Sequence, residues 1–192
     1  IARERGTTEA TFVEWERELQ EMDQLVGELL ASARLDFQAL SRTPLDAVEV
    51  ARRALQRAGE PLDRLSSDSV TLPFSADPTL LGRALANLLD NARRHGQGVV
   101  RLEVARSGAC VIFAIEDAGP GLAAEVAARI FEPPVVSDDT DEDLAPTRSH
   151  TSLGLGLVLV GRIARAHGGR ARCEPRPGGG ARMVLELPVG AA

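Results

Sequence analysis

Ala86-Asn87-Leu88-Leu89-Asp90-Asn91-Ala92-Arg93-Arg94-His95 is the stretch on which the reading of this chain turns. It sets two asparagines four residues apart and adds Arg94 and His95 one turn further on. Residues i and i+4 share a helix face, so Asn87 and Asn91 point the same way and Arg94 and His95 prolong that face. Neutral side-chain oxygens beside positive charge suit a hard cation such as Mg²⁺ with phosphates close by. Asparagine pairs on helices usually cap or face solvent, so this pattern takes its weight from the motifs on its C-terminal side.

Three such motifs occur in order: Asp117-Ala118-Gly119-Pro120-Gly121, Ile130-Phe131-Glu132-Pro133 and Gly154-Leu155-Gly156-Leu157. Asp117 comes after a predicted strand, where a carboxylate can accept a hydrogen bond from an exocyclic amine. Gly119 and Gly121 would let a flat ring approach the backbone. A plain turn uses the same residue types. Gly154 to Leu157 sit at a loop-to-helix junction, where free N–H groups and the helix dipole favour phosphate oxygens. Neither the Gly-Lys-Ser/Thr phosphate loop nor the dinucleotide fingerprint is present. The intervening residues 132–152 are polar, acidic and unpunctuated, as functional or disordered loops are.

Outward from these motifs, Asp77-Pro78 predicts the start of the asparagine helix. The Asp accepts bonds from free amides, and Pro costs nothing at the first helical position. The helix should end at Gly96. Residues 99–104 and 109–115 read as strands joined at Ser107-Gly108, residues 123–131 as a short helix, and 155–166 as an apolar helix ending before Gly168-Gly169. Residues 169–174 and 182–187 read as a last hairpin across 177–180. Residues 40–43 look like a linker, 45–58 a helix opened by Pro44 and stopped at Gly59, and 64–72 a short strand. His167 reads as a helix-capping residue. The expected fold is an α/β two-layer sandwich, a mixed, mostly antiparallel sheet packed on helices.

Ahead of it, Phe12, Trp15, Leu19, Met22, Val26, Leu29 and Ala33 recur with alternating steps of three and four. That spacing makes residues 9–36 a coiled-coil-like helix seeking a partner helix, with Gly6-Thr7-Thr8 as a hairpin turn. The chain opens at Ile1 without Met, as a piece of something longer would.

Composition narrows the function. The chain has 192 residues and a net charge of −6, whereas nucleic-acid binding calls for a basic surface. No apolar run approaches the roughly 20 residues of a membrane helix. Cys110 and Cys173 sit in apolar alternating runs, as reduced thiols of a cytoplasmic protein do.

In their order and spacing, the asparagine helix, Asp117-x-Gly-x-Gly, Phe131 and Gly154-x-Gly resemble the N, G1, F and G2 boxes of the ATP-binding domain of sensor histidine kinases. That domain belongs to the Bergerat, or GHKL, superfamily. The resemblance implies residues 1–39 as the end of a dimerisation and phosphotransfer hairpin, residues 44–192 as the catalytic domain, and residues 132–153 as a lid over ATP. It implies that Asp117 reads the adenine amine, Asn91 holds Mg²⁺, Arg94 and His95 lie along the nucleotide, and Gly119, Gly121, Phe131, Gly154, Leu155, Gly156 and Leu157 shape the site. Asn87 and Asn91 would be catalytic. Hydrolytic relatives usually carry Glu where Asn87 stands, and an amide cannot take a proton near neutral pH. The γ-phosphate would then be kept for a histidine.

The implied partners are a second copy, through the hairpin, and a response-regulator receiver domain, with membrane attachment only through other parts of the parent. The phosphoacceptor His is not found in this chain. Ser149-His150 lacks the residues that should come after an acceptor, and Arg42-Thr43-Pro44-Leu45 resembles an acceptor tail but has Ala39 in the His position. The chain departs from the family at Pro134-Val135-Val136 and at Ser152-Leu153, with Arg148 the lid's basic residue. Two alternatives share the motifs: a scaffolding pseudokinase acting through helix 9–36, and a serine-directed anti-sigma kinase, which lacks such a helix.

Overall fold

The computed structural model describes residues 15, 22, 26–36, 40–133 and 155–190. Residues 15 and 22 are helical, as is the run 26–36, here α1; the rest of the predicted helix 9–36, and its hairpin turn, lie outside the described residues. Next come β1 (Thr43–Asp46), α2 (Ala47–Arg57), a 3₁₀ turn at Leu62–Arg64, β2 (Leu65–Ser67) and β3 (Pro73–Ala76). They are followed by α3 (Pro78–Arg94), β4 (Val99–Ser107), β5 (Cys110–Asp117), α4 (Ala124–Arg129), α5 (Leu155–Ala166), β6 (Arg170–Pro175) and β7 (Ala181–Pro188). Among the described residues the main sheet has five strands in the order β2-β4-β5-β7-β6. Only β2 with β4 is parallel; the other pairs are antiparallel.

One face of this sheet carries Leu102, Val104, Val111, Phe113, Ile115, Met183, Leu185 and Leu187, all essentially inaccessible. They alternate with outward residues as strand geometry requires. Over them lie α3, burying Leu81, Ala84, Leu85, Leu88 and Ala92, and α5, burying Val160, Ile163 and Ala164. This is the expected two-layer α/β sandwich. The open face carries paired charges instead, with Arg101 at 2.8 Å from Glu116, Arg182 at 3.0 Å from Glu103 and at 2.9 Å from Glu174.

The N-terminal part differs from the reading of the sequence. Thr43, read as linker, begins β1, and Pro44 to Asp46, read with the helix, complete it by pairing antiparallel with β3. The helix starts at Ala47 because the Asp46 carboxylate accepts from Val48 N at 3.0 Å and also from Leu72 N at 3.0 Å. One carboxylate thus caps the helix and anchors the approach to β3, a long-range bond that no local pattern announces. The strand read over 64–72 is the shorter β2, and nothing in the local pattern marks β3.

Asp77 does what the sequence predicts. Its Oδ1 accepts from Thr79 N at 3.0 Å and Leu80 N at 3.1 Å, while Oδ2 accepts from Ser41 N at 3.2 Å. His167, just past α5, does more than cap. Its Nδ1 bonds Ile163 O at 2.8 Å and its Nε2 accepts from Asp77 N at 3.0 Å. The ring, 2% exposed, is therefore neutral with the proton on Nδ1, and joins the end of α5 to the start of α3. Burial holds its pKa below the usual histidine value, against the opposing pull of the Ile163 carbonyl. A depressed histidine pKa means that the unfolded chain takes up a proton first. Stability is therefore unaffected well above about pH 6.5 and falls as pH drops below it, until the folded value is reached. Urea midpoints measured from pH 7.5 down to pH 5 should decline in the native chain and show a shallower slope in His167→Gln.

Candidate functional site

Asp117 ends the core-facing stripe of β5 that runs Val111, Phe113, Ile115, Asp117, so its carboxylate lies on the helix side of the sheet where the apolar packing stops. It is 4% exposed, and Oδ1 accepts from Gly119 N at 3.0 Å and Ala181 N at 2.9 Å. Oδ2 takes neither bond. Arg176 Nη1 donates to the Asp117 carbonyl at 3.3 Å and to Gly179 O at 2.9 Å, tying the β6–β7 turn to the same residue. Glu116, one residue earlier, points to the opposite face and joins the ion pairs there.

The end of α3 is brought against Asp117 by glycine. Ala118 N donates to Gly96 O at 2.9 Å, and a Cβ on Gly96 would overlap the Asp117 side chain. A Cβ on Gly119 would stand 2.9 Å from Gly96 Cα and 3.1 Å from His95 O. His95, the C-cap of α3, is exposed beside this junction. Arg94 is also exposed, with its Nε 2.9 Å from Asp90 Oδ1. Asn91 is half-buried on the same helix.

At the other end of this face Asn87 is buried, and its Nδ2 donates to Gly156 O at 3.0 Å. The amide thus fixes the first turn of α5, whose N–H groups have no partners within the helix. From Asn87 to His95 is eight residues, about 12 Å along the axis. The structure therefore brings together Asn87, Asn91, Arg94 and His95 on α3, Asp117 with Gly119 and Gly121 after β5, and Gly156 in the first turn of α5. Leu157 and Phe131 are placed differently: both side chains are buried in the core, 3% and 6% exposed. A Cβ on Gly161 would meet the Phe131 backbone, so Phe131 packs on α5. Leu155 begins α5. Arg148, Gly154 and all but the first two residues of the lid reading lie outside the described residues.

Sequence reasoning missed Gly96 as a contact residue, together with Gly180, Ala181 and Arg176. The signal was there in Gly178-Gly179-Gly180, all with positive φ, but it read as an ordinary hairpin turn. Cys173, free and half-buried beside this region, has its thiol pushed up to about 11 by burial and then by the nearby Asp117 and Glu174 charges. It stays protonated and unreactive. Among the described residues no three His, Cys, Asp or Glu side chains gather as a metal site. None of their helices is long and apolar enough to cross a membrane. A cleft of about 720 Å³ lies on the outer face of the sheet, lined by Arg101, Glu103, Glu116 and Arg182 among others. Its charges already neutralise one another, so we place the functional site on the helix side.

The model of the histidine kinase-, DNA gyrase B- and HSP90-like ATPases matches residues 76–191. The sensor protein KdpD of Rathayibacter rathayi is 38% identical over 88% of this chain and 19% of its own length. The ATP-binding domain of PrrB from Mycobacterium tuberculosis superposes with a TM-score of 0.60 at 32% identity, covering 78% of this chain and 98% of that one. Full-length ShkA, solved with AMPPNP, gives a TM-score of 0.66 at 27% identity over 93% of this chain and 39% of that one. The chain belongs to this ATPase family, on the branch of the sensor histidine kinase catalytic domains. It spans 19% of the length of that KdpD and 40% of the length of the sensor protein CutS of Streptomyces coelicolor.

Proposed function

We propose that this chain binds Mg-ATP and, within a longer sensor histidine kinase, passes the γ-phosphate to a histidine on a dimerisation helix for relay to a response-regulator Asp. The observation that carries this reading is Asp117: a buried carboxylate ending a core stripe, with Oδ1 held by two backbone amides at the junction with the asparagine helix. Oδ2 accepts from the adenine amine, with Gly119 and Gly121 admitting the ring. The phosphates then run along α3 past His95 and Arg94 to the first turn of α5 at Gly156. Phe131 and Leu157 support that turn from the core, and Leu155, Gly154 and Arg148 belong to the same site by sequence.

Asn91 fits Mg²⁺, which takes few protein oxygens when phosphates supply the rest. Bound there, the ion offsets phosphate charge in a transfer that depends mostly on positioning. Asn87 is an amide with its nitrogen committed to Gly156 O, so it offers water no base and leaves the γ-phosphate for a histidine acceptor. The catalytic domain begins at β1, and residues 1–39 form the end of a dimerising hairpin. The full-length protein is a homodimer that meets a receiver domain on its cytoplasmic side and is held at the membrane by other segments.

Calorimetric titration with AMPPNP, with and without Mg²⁺, tests the reading. Saturable binding that strengthens with Mg²⁺ is expected. Asn91→Ala should abolish that strengthening and weaken binding about tenfold, the loss of one ligand-side interaction of about 1.4 kcal/mol. No saturable binding with or without Mg²⁺ would leave the scaffolding alternative.

A further inference from the structure

Helix α1 runs beside α5, and its one stripe of polar residues faces that helix. Arg162 Nη1 lies 2.5 Å from Ser32 Oγ, and Arg162 Nη2 pairs with Asp36. Glu28, Ser32 and Asp36 recur at i, i+4 and i+8, so they share one face. Four residues before Ser32, the half-buried Glu28 comes to the first turn of α5. Its Oε1 is 3.3 Å from where a Cβ on Gly156 would stand, and Asn87 Nδ2 is 3.4 Å from the same point. The two helices therefore run in the same direction, with the carboxylate at the positive end of α5. Ala31 is 7% exposed and joins the core. Gly27 lets the Arg83 guanidinium of α3 close against α1. The placement of Glu28 thus rests on contacts with both α3 and α5.

From this geometry we infer that Glu28 sets the affinity of the site and its choice between triphosphate and diphosphate, by placing a negative charge where the terminal phosphate arrives. This rests on the proposed nucleotide site. Asp117 fixes the base at one end of the α3 face, so the phosphate farthest from it is the one that reaches Asn87 and Gly156. A fixed carboxylate there already meets the positive end of α5, and an incoming phosphate must share that end with it. The repulsion acts most on the γ-phosphate and less on a diphosphate that stops short. Movement of α1 away from α5, by loss of the Arg162 contacts, relieves it.

The test compares AMPPNP and ADP, each with Mg²⁺, on the native chain, Glu28→Gln and Arg162→Ala, with far-UV circular dichroism confirming that all three are folded. Glu28→Gln should bind AMPPNP about fivefold more tightly than the native chain, with a smaller gain for ADP, and the difference should shrink as salt rises. Arg162→Ala, which keeps the carboxylate but frees α1, should shift affinity the same way. Unchanged AMPPNP affinity in Glu28→Gln would overturn the inference and leave the nucleotide site standing. Equal gains for both nucleotides would overturn the terminal-phosphate assignment. Absence of nucleotide binding in every variant would overturn the site and this inference with it.

Discussion

Asp117→Asn should cost this chain its affinity for ATP analogues while leaving its fold in place. The substitution keeps the size and planarity of the side chain. The amide oxygen can still accept from Gly119 N and Ala181 N, the two bonds that Oδ1 now holds at 3.0 and 2.9 Å. What changes is the other end of the group, where an NH₂ replaces Oδ2 and two donors then face each other across the adenine amine. A hydrogen bond to a charged acceptor contributes about 1.5–3 kcal/mol, and a buried donor left opposite a donor adds its own desolvation cost. The expected loss is therefore about 100-fold in Kd for AMPPNP by calorimetry. Glu116→Gln, one residue earlier but on the outer face among Arg101, Arg176 and Arg182, should leave that Kd unchanged. Equal losses in both variants would mean that the effect travels through strand stability and not through the base.

The contrast between these neighbours also shows what the sequence could and could not reveal. Alternating or continuous apolar runs marked the strands β4 and β5, the apolar run before Gly168-Gly169 marked α5, and the glycine-rich turn over 177–180 placed β7 as the arm of a hairpin. Asp77-Pro78 fixed the start of α3 for the same local reason: the cap bonds run to Thr79 and Leu80, two and three residues away. β1 and β3 escaped notice because each is four residues long and is held by a strand distant in sequence. Asp46 bonding Leu72 N and His167 bonding Asp77 N are contacts of the same kind, between segments 26 and 90 residues apart. Motif order was enough to nominate residue types for the proposed site, since their chemistry depends on side-chain kind. It could not nominate what supports them. Glu28 on α1 and Ala181 at the start of β7 come to the proposed site only through packing, and neither belongs to a motif that names it.

Gly180→Ala should be the most damaging small substitution at this site, for two separate reasons. Gly180 has φ +95°, a conformation in which a Cβ clashes with its own backbone and which costs a non-glycine residue about 1–3 kcal/mol. The added methyl would also collide with the backbone carbonyl of Asp117, and it would stand 3.1 Å from Asp117 Oδ1. The nearest atoms belong to the Asp117 backbone and cannot swing aside as a flexible side chain would, so the turn or the end of β5 must shift. Arg176 holds both through the Asp117 and Gly179 carbonyls, which spreads the displacement. The summed cost should reach about 3–5 kcal/mol, at the upper end for a single substitution. For a chain of this size that lowers Tm by about 6–20 °C in a calorimetric scan. Gly178→Ala supplies the control: its φ is also positive, +90°, but nothing lies within 4 Å of the added Cβ, so only the backbone cost applies. If the two variants melt together, the collision with Asp117 contributes nothing. If Gly180→Ala melts much lower and has also lost AMPPNP binding, the glycine turn and the base-reading carboxylate are one unit, built so that Ala181 N can reach Oδ1.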